Sequence, residues 1–253
     1  PVISVNSHEF NRPGSTGKVI PGVSVRIENF ETGEECRTGE TGKIIVKGDS
    51  VMKGYYNDPE QTAKVMKNGW YDTGDMGYLD KDRFLYVLGR FKSLLISDDG
   101  EKYSPEGIEE TITDRSPFID QLMLCNNQNK YTVALLVPNG EALARWAKNK
   151  NIDTSGSQGL EAVLAELDSV IDHYRTGGQY DDLFPPRWLP AAVAVLDEPF
   201  NAENKLLNSL GKMVRAKIVE RYHDRIDYLY TAEAKNIVNP ENLAAIRKVL
   251  GIR

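Results

Sequence analysis

Up to about residue 90, the apolar residues fall in short stretches of period two closed by glycines. That pattern makes strands. Gly22-Val23-Ser24-Val25-Arg26-Ile27 alternates like a strand with one face on a core, and Gly42-Lys43-Ile44-Ile45-Val46-Lys47-Gly48 reads as a short buried strand. One helix start interrupts them, with Asp58 as cap and Pro59 in the first turn. This helix should run to about Met66 and stop at Asn68-Gly69. The segment Trp70-Tyr71-Asp72-Thr73-Gly74-Asp75 follows, then two strands around a turn at Asp80-Lys81-Asp82.

Beyond residue 90 the pattern is mixed. Ser104-Pro105-Glu106 carries a helix start, with Ser104 as cap and Pro105 in the first position. Ile119 to Cys125 and Tyr131 to Val137 read as paired strands. Glu141 to Lys150, Leu160 to Tyr174, Leu210 to Tyr222 and Asn239 to Leu250 read as helices, and Ala191 to Leu196 as a strand. Strands and helices without regular alternation predict an α+β fold.

Composition narrows the classes. With 40% hydrophobic and 27% charged residues the chain is neither disordered nor a coiled coil. No apolar run reaches the roughly 18 residues of a membrane span. The net charge of −6 gives no general attraction to nucleic acid. Cys36 and Cys125 lack metal-ligand spacing, as do His8, His173 and His223, so no metal site is predicted. Reduced thiols suit a cytoplasmic protein.

Four segments, in order, resemble the signature motifs of the acyl-adenylate-forming superfamily of AMP-binding enzymes. They are Thr41 to Gly48 with Val51 to Thr62, Trp70 to Arg90, Gly89 to Glu109, and Phe200 to Lys212. Pro1 to Val5 and Gly14 to Val23 resemble the stretch just after that family's aromatic motif. The resemblance implies that residues 1–90 are the β-rich end of a large adenylation domain. Residues 91–253 would be the smaller mobile α+β C-terminal domain, with a helical insertion between Val137 and Val193. Glu203-Asn204 and Leu206-Leu207 before Lys212, together with that insertion, bring the long-chain fatty acyl-CoA ligases closest. Those ligases usually have Gly where Lys205 stands.

What the resemblance implies is an ATP-dependent reaction: a carboxylate, here a fatty acid, becomes acyl-AMP and then passes to coenzyme A, with Mg²⁺ on the phosphates. The chain alone is expected not to form acyl-AMP. An acyl-carrier protein as acceptor, or a non-catalytic nucleotide-binding module, are the alternatives, and contact with a membrane surface stays open.

Residue by residue, the resemblance assigns Asp75 to the two ribose hydroxyls; taken alone, Asp75 reads as a turn residue capping its own backbone. Arg90, after Gly89, would also hold ribose oxygens, where the plain reading is a surface ion pair. Lys92 occupies the hinge position. Gly100 falls on the loop lining the passage for the pantetheine arm of coenzyme A, and Asp99-Gly100 equally satisfies a simple turn. Lys212 would reach the carboxylate and the α-phosphate, against a plain lysine at a helix start.

Overall fold

The computed structural model describes residues 1–252 and contains two compact units, Pro1–Leu94 and the residues from Leu95 onward. The elements of the first are β1 (Ser4–Val5), β2 (Gly17–Val19), β3 (Val23–Glu28), β4 (Gly42–Gly48), α1 (Pro59–Val65), β5 (Met66–Lys67), β6 (Trp70–Leu79) and β7 (Phe84–Arg90). They form one antiparallel sheet in the order β1-β2-β7-β6-β4-β3, with β5 beside β6. The period-two residues Val25, Ile27, Ile44 and Val46 gather with Leu85 into its core. The opposite face is held by polar and aromatic contacts, Arg26 lying 4.4 Å over the Trp70 ring. Asp58 caps α1 as its sequence predicts, accepting from the Gln61 amide at 2.8 Å. The helix ends at Val65, and Asn68 and Gly69, both with positive φ, make a two-residue hairpin turn between β5 and β6.

In the second unit the elements are β8 (Leu95–Ser97), β9 (Lys102–Tyr103), α2 (Glu106–Arg115), β10 (Ile119–Cys125), β11 (Asn127–Asn129), β12 (Val133–Pro138), α3 (Gly140–Asn149), α4 (Ser157–Asp172), β13 (Ala192–Val195), α5 (Arg215–Arg221), α6 (His223–Tyr228) and α7 (Pro240–Val249). A small sheet runs β11-β8-β9, and a larger one runs β10-β12-β13, antiparallel then parallel. Every residue of β12 is buried, because both faces of this sheet are covered. Leu122, Leu124, Ala134 and Leu136 face a core shared with α2, α3, α4 and α7. Met123, Cys125, Val133 and Leu135 face a second core closed by Leu206, Ile218 and Ile226. The parallel pair β12–β13 requires a crossover, and the predicted helical insertion is that crossover, α3 and α4. The chain is α+β, as its patterning predicts.

Three expectations need correcting. Pro105 has helical dihedrals, as expected of the first position, but the Ser104 hydroxyl makes no capping bond. The Ile108 and Glu109 amides bond instead to the Pro105 carbonyl. Trp70 to Asp75 does not precede the strands; it lies inside β6. The helix predicted over residues 210–222 shrinks to Arg215–Arg221. Asn208 is the cause: its Oδ1 accepts from the amides of Leu210 and Lys212 at 2.9 and 3.0 Å, folding residues 208–212 into a tight turn that competes with helix.

The start of α5 is tied to the sheet by a buried ion pair. Glu109 is 4% exposed, its Oε1 accepts from the Leu124 amide at 2.6 Å, and its Oε2 pairs with Arg215. Arg215 Nη1 donates to the Leu124 carbonyl at 3.2 Å. Strand β10 is an edge of its sheet, so these two side chains satisfy the Leu124 amide and carbonyl, which no further strand pairs with. Burial pushes the Glu109 carboxyl upward, while the Arg215 charge and the Leu124 amide pull it back.

Glu109→Ala leaves a guanidinium unpaired and an amide unsatisfied, and should destabilise the chain by about 3–5 kcal/mol. Urea unfolding measures this, and Glu109→Ala with Arg215→Ala should cost clearly less than the sum of the two. A second change should act in the opposite direction. Lys205 adopts φ +60, the left-handed region. That conformation costs an L-residue about 1–2 kcal/mol, more than the extra unfolded-state entropy of glycine at about 0.5–1. Lys205→Gly should therefore raise the unfolding free energy by about 0.5–1 kcal/mol.

Candidate functional site

Asp75 and Arg90 lie fifteen positions apart in sequence and face each other across the β6–β7 ladder. Two irregularities bring them together. Along β7, Val87 pairs with Gly77 and Gly89 with Met76, so Leu88 is an extra residue. Gly89 takes φ +132, which favours glycine. Regular pairing would set Gly89 opposite Asp75; the bulge sets Arg90 there. Along β6, Lys43 of β4 pairs with Met76 and Ile45 with Asp72, so Thr73, Gly74 and Asp75 swell outward opposite Ile44.

The swelling is fixed by its own side chains. Asp72 Oδ1 accepts from the Gly74 amide at 2.9 Å, Thr73 Oγ1 accepts from the Asp75 amide at 3.1 Å, and the Thr73 hydroxyl donates to the Ile44 carbonyl at 2.9 Å. Thus Thr-Gly-Asp presents its carboxylate from a pinned backbone. Arg90 Nε stands 3.2 Å from Asp75 Oδ1, and the two side chains are 58% and 31% exposed, so both can still meet a solute. An acceptor beside a donor fork suits a vicinal diol, whose hydroxyls can donate to the one and accept from the other.

Tyr71, not singled out from the sequence, adjoins the pair. Burial pushes its phenol up, as do a hydrogen bond with Tyr55 and the Asp75 charge, while Arg90 opposes them. Its position within the same Trp-Tyr-Asp-Thr-Gly-Asp segment is the signal that could have drawn attention to it. Lys92 is exposed in the 3₁₀ turn Phe91–Ser93, directly after Arg90, where the Phe91 ring stacks on Phe30 at 4.8 Å.

In the second unit Gly100 forms the turn between β8 and β9, at φ +85. Its amide donates to the Ser97 carbonyl at 3.0 Å. A Cβ there would meet nothing within 4 Å, so within this unit the backbone angle, not crowding, calls for glycine. Lys212 is exposed at the end of the Asn208 turn. The turn is closed below by the Asn208 amide on the Lys212 carbonyl at 2.9 Å and by an isolated bridge between Leu207 and Met213. Three residues further on, Arg215 anchors the segment to the core. Lys212 is thus an exposed side chain on a backbone held by its own turn. Among the described residues, no group of three His, Cys, Asp or Glu is placed to hold a metal ion. Also among them, no helix is long and apolar enough to cross a membrane.

The chain is similar to known proteins over most of its length. The family described as AMP-binding enzyme matches residues 1–56. A probable acyl-activating enzyme 16, chloroplastic, of Arabidopsis thaliana is 30% identical over 247 residues, covering 91% of this chain and 32% of that protein. A putative fatty-acid–CoA ligase, fadD11, of Mycobacterium tuberculosis is 31% identical over 233 residues, covering 88% and 37%. The crystal structure of ATP-bound MatB from Rhodopseudomonas palustris superposes with a TM-score of 0.56 at 28% identity, covering 88% of this chain and 39% of that one. The chain therefore spans about a third of the length of the curated relatives it matches. With its motifs in order, its strand-borne Asp75–Arg90 pair and these likenesses, the chain belongs to the acyl-adenylate-forming superfamily of AMP-binding enzymes, close to the fatty acyl-CoA ligases.

Proposed function

We propose that this chain works within a longer ATP-dependent acyl-CoA ligase, which joins a fatty acid to AMP and then passes the acyl group to coenzyme A. The observation that carries the reading is the Asp75–Arg90 pair, an acceptor and a donor set 3.2 Å apart by two bulges inside the family's own motif. In this reading Asp75 accepts from both ribose hydroxyls of ATP, and Arg90 steadies the ribose oxygens and the Asp75 carboxylate together. Tyr71 walls the site on its buried side. Lys212 delivers its ammonium to the carboxylate and the α-phosphate oxygen, where negative charge develops. Coenzyme A supplies the thiol, and Gly100 belongs to the wall of its pantetheine passage. Mg²⁺ supplies charge neutralisation on the phosphates, and no ligand to it is assigned in this chain. Lys92 is the hinge about which residues 91–253 turn as the C-terminal domain between the two steps. The reaction is placed in the cytoplasm.

Asp75→Ala in the longer protein should weaken ATP binding about tenfold or more, because two charge-assisted hydrogen bonds go, and should leave fatty acid binding in place. Calorimetry decides this, and an unchanged dissociation constant for ATP removes Asp75 from the site. The two lysines should separate the half-reactions. Lys212→Ala should slow acyl-AMP formation by about 10²–10³-fold while thioester formation from supplied acyl-AMP persists. Lys92→Pro should do the reverse, since proline fixes φ near about −65° and restricts the residue before it. Pyrophosphate exchange reads the first step and thiol consumption the second. Equal losses in both steps for both variants would refute the two-orientation reading.

A further inference from the structure

The turn that bears Gly100 is too small to hold itself. Strands β8 and β9 contribute two pairs, Leu95 with Tyr103 and Ile96 with Lys102. Such a hairpin is marginal alone. Its two shoulders are the carboxylates on either side of the glycine, Asp99 and Glu101, and one guanidinium takes both. Arg187 Nη2 pairs with Asp99 Oδ2, and Arg187 Nε stands 3.1 Å from Glu101 Oε2. The neighbouring Trp188 donates from Nε1 to the same Glu101 Oε2 at 3.2 Å. Its ring lies flat on Tyr103, with centroids 5.1 Å apart and planes 6° apart.

This arrangement is itself backed by the core. Tyr103 is 1% exposed and its hydroxyl shares a hydrogen bond with Thr132 Oγ1, which lies 3.3 Å from the Arg187 carbonyl. Arg187 and Trp188 occupy the 3₁₀ turn Pro186–Trp188, where the crossover from β12 returns to β13. Two consecutive prolines, Pro185 and Pro186, restrict the backbone just before them. The end of the helical crossover is therefore fastened to the glycine turn at both of its shoulders. An isolated surface ion pair contributes little to stability. What a guanidinium bridging two shoulders supplies is the orientation of the turn between them.

We propose that Arg187 and Trp188 are positioning residues for the thioester-forming step, holding the Gly100 turn where the pantetheine arm must pass. The proposal rests on the function proposed above. Neither residue is among those assigned above to the acyl-AMP chemistry. Their removal should therefore act on coenzyme A and not on adenylation.

Solvent exchange of the Ser97 and Gly100 amides is the direct test, in this chain and its Arg187→Ala, Arg187→Lys and Trp188→Phe variants. Trp188→Phe keeps a ring on Tyr103 and loses only the donor. Arg187→Ala should speed exchange at Gly100 on the order of tenfold, Arg187→Lys and Trp188→Phe less, with the amides of β10 and β12 unchanged. In the longer protein Arg187→Ala should raise KM for coenzyme A on the order of tenfold, leave pyrophosphate exchange at its original rate, and be partly rescued by Arg187→Lys. Unchanged exchange at Gly100 overturns the proposal. So does faster exchange with an unmoved KM for coenzyme A, or an equal loss in both half-reactions. A wild-type longer protein that makes no acyl-AMP refutes the function proposed above, and the clamp then stands or falls on the exchange measurement.

Discussion

The second unit depends on the backbone of one buried residue, Leu124, being satisfied. Leu124 sits on the edge strand β10, and its outward amide and carbonyl are taken by Glu109 and Arg215. Without them, the buried Leu124 amide and carbonyl would both lack these partners, at a cost folded proteins avoid. With them, α2 and α5 are drawn to the same point from residues 106 positions apart. The segment leading from the Asn208 turn into α5 has one firm end, and Lys212 stands near it. The stability of the unit and the placement of Lys212 are therefore linked to the same ion pair.

The two units present their candidate groups by different means. In the first, Asp75 and Arg90 come from the interior of long strands, re-aimed by bulges that the side chains of Asp72 and Thr73 hold open. In the second, Gly100 and Lys212 come from short turns, the first held by Arg187 from a distant part of the chain and the second by its own Asn208. Strand-borne groups are set by register and change little as the surroundings change. Turn-borne groups are set by a few polar contacts, so they can move when those contacts are exchanged. The division suits the function proposed above, in which the first part would hold a nucleotide and the second would do two jobs in turn.

Local physics was legible wherever it was strong. Glycine-closed alternation gave β3 and β4, Asp58 with Pro59 gave α1, and the apolar runs gave β10 and β12. The α5 boundary was misread because one side chain, Asn208, outbid helix propensity over five residues. Neither pattern nor propensity could show that Arg90 opposes Asp75, since that follows from an unpaired Leu88 and a three-residue swelling. The motif resemblance named both residues without giving their geometry. The Glu109–Arg215 tie and the Arg187 clamp were invisible for a simpler reason. Their partners are distant in sequence and are brought together only by the sheet.

The crossover between β12 and β13 has a further consequence. Both of its ends are pinned to neighbouring parallel strands, so its middle lies outside the register that places everything else. The entropic cost of closing such a connection grows only logarithmically, about 0.6 kcal/mol for each doubling of length. The polar loop over residues 151–156, between α3 and α4, is where that tolerance is concentrated. A longer or shorter connection there should therefore cost little folding free energy, while the sheet and both anchoring ends stay under constraint.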